Sequence, residues 1–252
     1  MRYELLGPLQ LVDERTHTVN APKVETLLAA LLIRANQPVS TDELIDELWG
    51  NAPPRRAHAA LHVYISHLRK NFVQPAVDGA TIRTHAQGYL LEVEKSSVDV
   101  FLLRALHAEG RAVPETDPER ALDVSAAAAG LFRGPVLTGI NNGLIVGTFA
   151  RWAEEVRLEC LETVARCSLR LGRHRELIGD LSAWVEEYPL NENLREHLML
   201  ALYRSGRRAE ALEVFQSARQ ALREELGLDP RRTMRRLQFA ILEADTDYAI
   251  AG

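Results

Sequence analysis

The chain has 252 residues, 46% hydrophobic and 26% charged, which allows one large domain or two ordinary ones with substantial cores. Asp plus Glu number 35 and Lys plus Arg 30, a formal net charge of −5. That balance excludes coating of nucleic acid by overall charge and confines any such binding to a local patch. No apolar run is long enough to cross a bilayer, and the N-terminus MRYELLGPLQLVDE lacks the basic-then-apolar layout of a signal peptide, so no membrane association and a cytoplasmic location are expected.

Residues 2–20 read as short strands: Tyr3 to Leu6, a break at Gly7-Pro8, Leu9 to Val12, then a turn at Asp13-Glu14. Pro22 suits the first position of a helix, to which Leu27, Leu28, Leu31 and Leu32 give a buried stripe, with Pro38 as its end marker. Ser40-Thr41-Asp42-Glu43 has the form of a capping box. It opens a short helix carrying Leu44, Ile45, Leu48 and Trp49, stopped by Gly50 and followed by the stiff loop Asn51-Ala52-Pro53-Pro54.

A third helix is predicted from about Arg56 to Phe72. Leu61, Ile65, Leu68 and Phe72 recur at steps of 4, 3 and 4, so one face is core. The other face holds His62, Val63, Ser66, Arg69 and Lys70, with His58, Tyr64 and His67 on its flanks. From Leu48 to Val77 there is no Asp or Glu. A surface that lies against phosphate must keep carboxylates away, because each one repels the backbone and cancels a released counterion. Thr81–Thr84 and Tyr89–Val93 are strand-like around a tight turn at His85-Ala86-Gln87-Gly88. Small strands, three helices and a final hairpin make a winged helix-turn-helix.

Glu94 to Ser97 is the expected boundary, and helical periodicity prevails after it. Leu171-Gly172-Arg173-His174-Arg175-Glu176-Leu177 recurs 34 residues later as Ser205-Gly206-Arg207-Arg208-Ala209-Glu210-Ala211, a tetratricopeptide-like period. Ala211, Phe215 and Ala218 give the small-large-small spacing of closely paired helices. Leu226 to Pro230 combines a helix-ending Gly227, a capping Asp229 and Pro230 at the next helix start. The fold class is therefore mainly α with small β: a winged helix followed by an all-α, tetratricopeptide-like domain. Such a domain offers grooves for proteins rather than a reaction centre, or a dimer interface.

Enzyme chemistry has little support. His58 and His62 stand at i, i+4 with His67 nearby, but HExxH is absent and no carboxylate lies in the window, so no metal or cofactor is expected. Phosphate-cradling, nucleophile-elbow and dinucleotide fingerprints are missing. Cys160 and Cys167, seven apart in a helical pattern, read as buried thiols rather than a disulfide.

The segments LIDELWG (44–50), YISHLRKNF (64–72) and GYLLEV (88–93) resemble the OmpR/PhoB-type winged helix. The segment YPLNENLREHLMLALYRSGRRAEALEVFQSARQALREELGLDP (188–230) resembles the bacterial transcriptional activation domain. Together, over nearly the whole chain, they resemble the Streptomyces antibiotic regulatory proteins, or SARPs. The resemblance implies a winged-helix domain over 1–94 and an activation domain over 98–246. It also implies a pathway-specific activator that binds direct repeats in double-stranded promoter DNA, as a homodimer or head-to-tail pair, and contacts the sigma and core subunits of RNA polymerase holoenzyme. With no receiver domain before residue 1, no phosphoaspartate switch is expected.

Matching Leu68-Arg69-Lys70 to the family's recognition helix puts Val63 and His67 toward bases, with His62 a further base reader, and Tyr64, Ser66 and Arg69 toward phosphates. Lys70 adds salt-dependent affinity, and His67 stands where the family often has Arg. Arg83, His85 and Gln87 at the wing fall to the minor groove or its flanking phosphates. Asn51, Arg55 and Arg56 fall in the loop that faces RNA polymerase in the family. Arg56 equally fits a phosphate at the start of the recognition helix. The competing interpretation is a tetratricopeptide-like adaptor whose winged helix binds no DNA.

Overall fold

The computed structural model describes residues 1–73, 79–140 and 143–243. Residues 74–77 of the acid-free stretch and 244–246 of the expected activation domain lie outside them. The chain forms two compact units, one of residues 1–109 with 127–158 and one of 110–126 with 159–252.

The first unit opens with an antiparallel sheet of β1 (Arg2–Glu4), β2 (Gln10–Val12) and β3 (Thr16–His17). Helix α1 (Pro22–Ile33) starts on Pro22 as expected, but its burial exceeds a stripe, since Val24 and every residue from Thr26 to Ile33 are buried. Between it and α2 (Thr41–Trp49) lies a strand that the sequence pattern did not reveal, β4 (Pro38–Ser40). Pro38 opens that strand at the sheet edge, where its missing N–H costs no ladder bond. The capping box forms in full: Glu43 N donates to Ser40 Oγ and Ser40 N donates to Glu43 Oε2. The Ser40 hydroxyl, which donates to Glu43 Oε2 at 2.7 Å, and the Ser40 amide hold the Glu43 carboxyl below its usual pKa range.

Helix α3 (Ala57–Asn71) buries Ala57, Leu61, Ile65 and Leu68 against α1 and α2. The hairpin of β5 (Thr81–His85) and β6 (Gly88–Glu92) follows, and β6 lies between β4 and β5. Gly88 is required where β6 crosses β4, because a Cβ there would sit 2.0 Å from the Val39 carbonyl oxygen. A 3-10 turn (Lys95–Ser97) leads into α4 (Asp99–Ala112), and α5 (Pro118–Ala129) and α6 (Leu144–Arg170) follow. The first unit thus continues past the 94–97 junction. Asp99 Oδ2 accepts from the amides of Leu5 and Leu6 at 2.8 and 3.0 Å, and burial outweighs those bonds and raises its pKa.

The second unit is helical: part of α5, the C-terminal part of α6, then α7 (His174–Glu187), α8 (Glu192–Arg204), α9 (Arg208–Leu226) and α10 (Arg232–Glu243). Helix α8 packs on both α7 and α9, and α10 packs on α8 and α9. The sequence repeat is a repeat of backbone geometry. Gly172 and Gly206 take φ of 75° and 79°, and Arg173 N→Ser168 O and Arg207 N→Leu202 O are both 2.9 Å. Ala211, Phe215 and Ala218 are buried. Gly227 ends α9 in the left-handed region, but Asp229 does not cap the next helix, because its carboxylate takes the Arg223 guanidinium at 2.9 Å. Cys160 and Cys167 are free and buried, and burial pushes the Cys160 thiol up to about 11.

Candidate nucleic-acid interface

Helix α3 carries its core on one side, and its other side is open. Val63 is 65% exposed, and His58, His62, Ser66, His67 and Lys70 are exposed with it. An apolar side chain this open, ringed by donors and without a carboxylate on its helix, leaves an unsatisfied surface on the side that the burial pattern turns outward.

Several predicted contact residues also hold the surface together. Arg69 reaches the wing: Nε donates to Ile82 O at 3.0 Å and Nη2 to Thr84 Oγ1 at 2.9 Å. Its guanidinium therefore fixes the β5–β6 hairpin against α3, a role the sequence reading did not assign. His62 Nδ1 lies 2.7 Å from the Tyr89 hydroxyl, and the two rings meet edge-on. Tyr89 is a core residue of β6, and burial raises its phenol pKa against the opposing charge of Arg69, so the hydroxyl keeps its proton. Tyr64 is half-buried and stacks on Trp49 with ring centroids 6.1 Å apart. Ser66 Oγ donates back to His62 O at 2.9 Å. The His67 ring leans on Phe72 at 5.7 Å.

At the wing, residues 86 and 87 form the turn, and His85 and Gln87 are exposed. The Gln87 carbonyl accepts from Thr41 N at 2.9 Å, which ties the turn to the start of α2. Arg83 is paired with Glu92 across the hairpin at 2.7 Å, so its charge is partly offset. Asn51, Arg55 and Arg56 are all exposed on the α2–α3 loop, and Arg56 occupies the N-cap position of α3 without a side-chain cap.

The sequence reading missed Glu47. It is 3% exposed, and its carboxylate accepts from Ile145 N at 2.6 Å and Val146 N at 3.0 Å, capping the start of α6. Gly143 leaves room for it, since a Cβ there would lie 2.3 Å from Glu47 Cδ. Its position, three residues after Leu44 and next to Leu48 on the core side, was the available signal. Among the described residues, no group of three or more His, Cys, Asp or Glu is placed to hold a metal ion, and no helix is long and apolar enough to cross a membrane.

A winged helix joined to a repeat-type helical domain defines a transcription regulator of two parts. Residues 17–91 match the C-terminal domain of transcriptional regulatory proteins, and residues 98–242 match the bacterial transcriptional activator domain. The chain is 37% identical to the regulatory protein DnrI of Streptomyces peucetius, across 97% of its own length and 93% of DnrI. It is 36% identical to the transcriptional regulator RedD of Streptomyces coelicolor, across 96% of itself and 70% of RedD. It also matches AfsR of Streptomyces griseus at 37% identity but spans only 25% of that protein. The solved structure of Mycobacterium tuberculosis EmbR, in complex with a low-affinity phosphopeptide, superposes with a TM-score of 0.81 at 32% identity, over 96% of this chain and 64% of EmbR. The chain belongs to the Streptomyces antibiotic regulatory protein family.

Proposed function

We propose that the protein is a sequence-specific DNA-binding activator of an antibiotic biosynthesis pathway, acting in the cytoplasm, with residues 1–94 on promoter DNA and 98–246 as the activation domain. One observation carries this reading: the exposed side of α3 around Val63 has no carboxylate, in a chain whose carboxylates outnumber its Lys and Arg. A protein-only adaptor has no need of such a face.

Val63 and His67 meet base edges in the major groove, Val63 against a thymine methyl. With the Tyr89 hydroxyl as donor to His62 Nδ1, the ring proton lies on Nε2, a donor suited to guanine N7 or O6. Ser66 and Lys70 meet phosphate, and the wing residues His85 and Gln87 meet the adjacent minor groove. Arg69 contributes charge and holds the wing. Arg83, shared with Glu92, contributes less. Two copies occupy direct repeats, as a homodimer or head to tail. Asn51, Arg55 and Arg56 face RNA polymerase holoenzyme, and Pro53-Pro54 limits the entropy lost when that loop is held.

A gel-shift titration on the promoters beside the protein's own gene, at two salt concentrations, tests the proposal. A DNA-binding activator gives a specific complex whose affinity falls steeply with salt. The adaptor alternative gives no specific complex and no steep salt slope.

A further inference from the structure

Leu61, Ile65 and Leu68 define the core side of α3. At about 3.6 residues per turn, the line opposite them passes through Ala59, Val63, Ser66 and Lys70. All four are exposed. The histidines stand off this crest. His58 and His62 lie on one flank, where His62 Nδ1 is 2.7 Å from the Tyr89 hydroxyl, and His67 lies on the other, its ring against Phe72. The N-terminal half of the crest is therefore Ala59 and Val63, two apolar side chains about 6 Å apart along the axis. Neither carries a hydrogen-bonding group. Ser66, next on the line, donates its hydroxyl back to His62 O.

This arrangement limits what the crest can meet. In a recognition helix the N-terminal residues lie nearest the base edges. The major groove offers them donors, acceptors and one apolar feature, the C5-methyl group of thymine. Ala59 or Val63 set against a base carbonyl, ring nitrogen or amino group takes that group out of water and returns no hydrogen bond, which disfavours such a register. Set against a methyl, the same side chains bury apolar surface on both partners. Bases on one strand are spaced by about 3.4 Å, so the two side chains span about two base steps.

We propose that Ala59 and Val63 together form a reader of pyrimidine C5-methyl groups, which selects operators with a methyl under each side chain and discriminates against the same base without it. Ala59 thereby joins the DNA-contact residues. The chemistry recognised is the methyl itself, carried by thymine or by 5-methylcytosine. The inference rests on the DNA-binding reading and extends it from one contact to a sequence rule.

The experiment uses the full chain and the promoter fragment that gives the specific complex in the gel shift. Deoxyuridine replaces thymine one position at a time, which removes the C5-methyl and leaves every donor and acceptor in place. Two positions are expected at which affinity falls by about fourfold, the worth of one buried methyl. Parallel duplexes carry cytosine or 5-methylcytosine at each of those positions, and the methylated form should bind tighter by a similar factor. Ala59→Ser and Val63→Ser, both at exposed positions, are checked first for unchanged melting temperature, and each should abolish the discrimination at one of the two positions. The proposal is overturned if no deoxyuridine substitution weakens binding, if 5-methylcytosine binds no better than cytosine, or if either serine variant keeps the wild-type discrimination at both positions. Failure of DNA binding itself appears on the unmodified fragment, before any methyl is removed, so the two failures are told apart.

Discussion

The Tyr89 hydroxyl stands 2.7 Å from Nδ1 of His62 and links the middle strand of the wing sheet to the outward face of α3. Tyr89→Phe removes that bond and keeps the ring. It is expected to cost about 1 kcal/mol in urea unfolding. It also frees the His62 ring, so the ratio of specific to random DNA binding falls more than general affinity does. A variant that keeps the wild-type ratio assigns the pair to structure alone.

Arg69 bonds both Ile82 O and Thr84 Oγ1, so its removal acts twice. Arg69→Ala is expected to lower stability by about 0.5–1.5 kcal/mol and to speed amide exchange in β5. Binding falls on all sequences, and the slope of affinity with salt flattens by roughly one counterion. Weakened binding with an unchanged slope would show that the wing attachment is the whole of its role.

Glu47 caps a helix that begins 97 residues later in the sequence, at Leu144. Glu47→Ala strands two buried amides and is expected to cost about 2–4 kcal/mol. Glu47→Gln, which keeps one acceptor oxygen, should cost less. Chemical denaturation followed by circular dichroism checks the order of the two.

His197 in α8 gives the helical unit a pH dependence. Desolvation lowers its pKa from the usual 6.5, with Arg166 and Arg231 acting in the same direction and Glu162 and Glu196 opposing. The sign follows: above 6.5 the ring is neutral in both states and its contribution is complete. As pH falls, the unfolded chain takes a proton that the folded chain refuses, and stability declines until pH passes the lowered folded value. Melting curves between pH 7.5 and 5 should show the decline, and His197→Gln should flatten it (about one titrating proton).

Much of this was legible in the sequence because it is local. The capping box at Ser40–Glu43, the Pro22 helix start, the 34-residue repeat and the outward set of α3 depend on spacings within a few turns of helix. Features that depend on distant partners were not legible. Strand β4 has three residues and exists only because β6 pairs with it. Arg69 reads as a solvent-facing cation until the hairpin supplies Ile82 O and Thr84 Oγ1, and Asp229 reads as a cap until Arg223 claims its carboxylate. Tyr64 reads as a flank residue aimed at phosphate, and its stack on Trp49 depends on a partner in another helix.

The central claim is that the acid-free face of α3 lies against the duplex, and Val63 tests it most directly. Being 65% exposed, it can become Glu without disturbing the core, and Glu favours helix more than Val does. Anisotropy titration of Val63→Glu on the specific promoter fragment, at unchanged melting temperature, should show affinity reduced by about tenfold or more as the new carboxylate meets phosphate and base edges. Wild-type affinity in that variant would contradict the account.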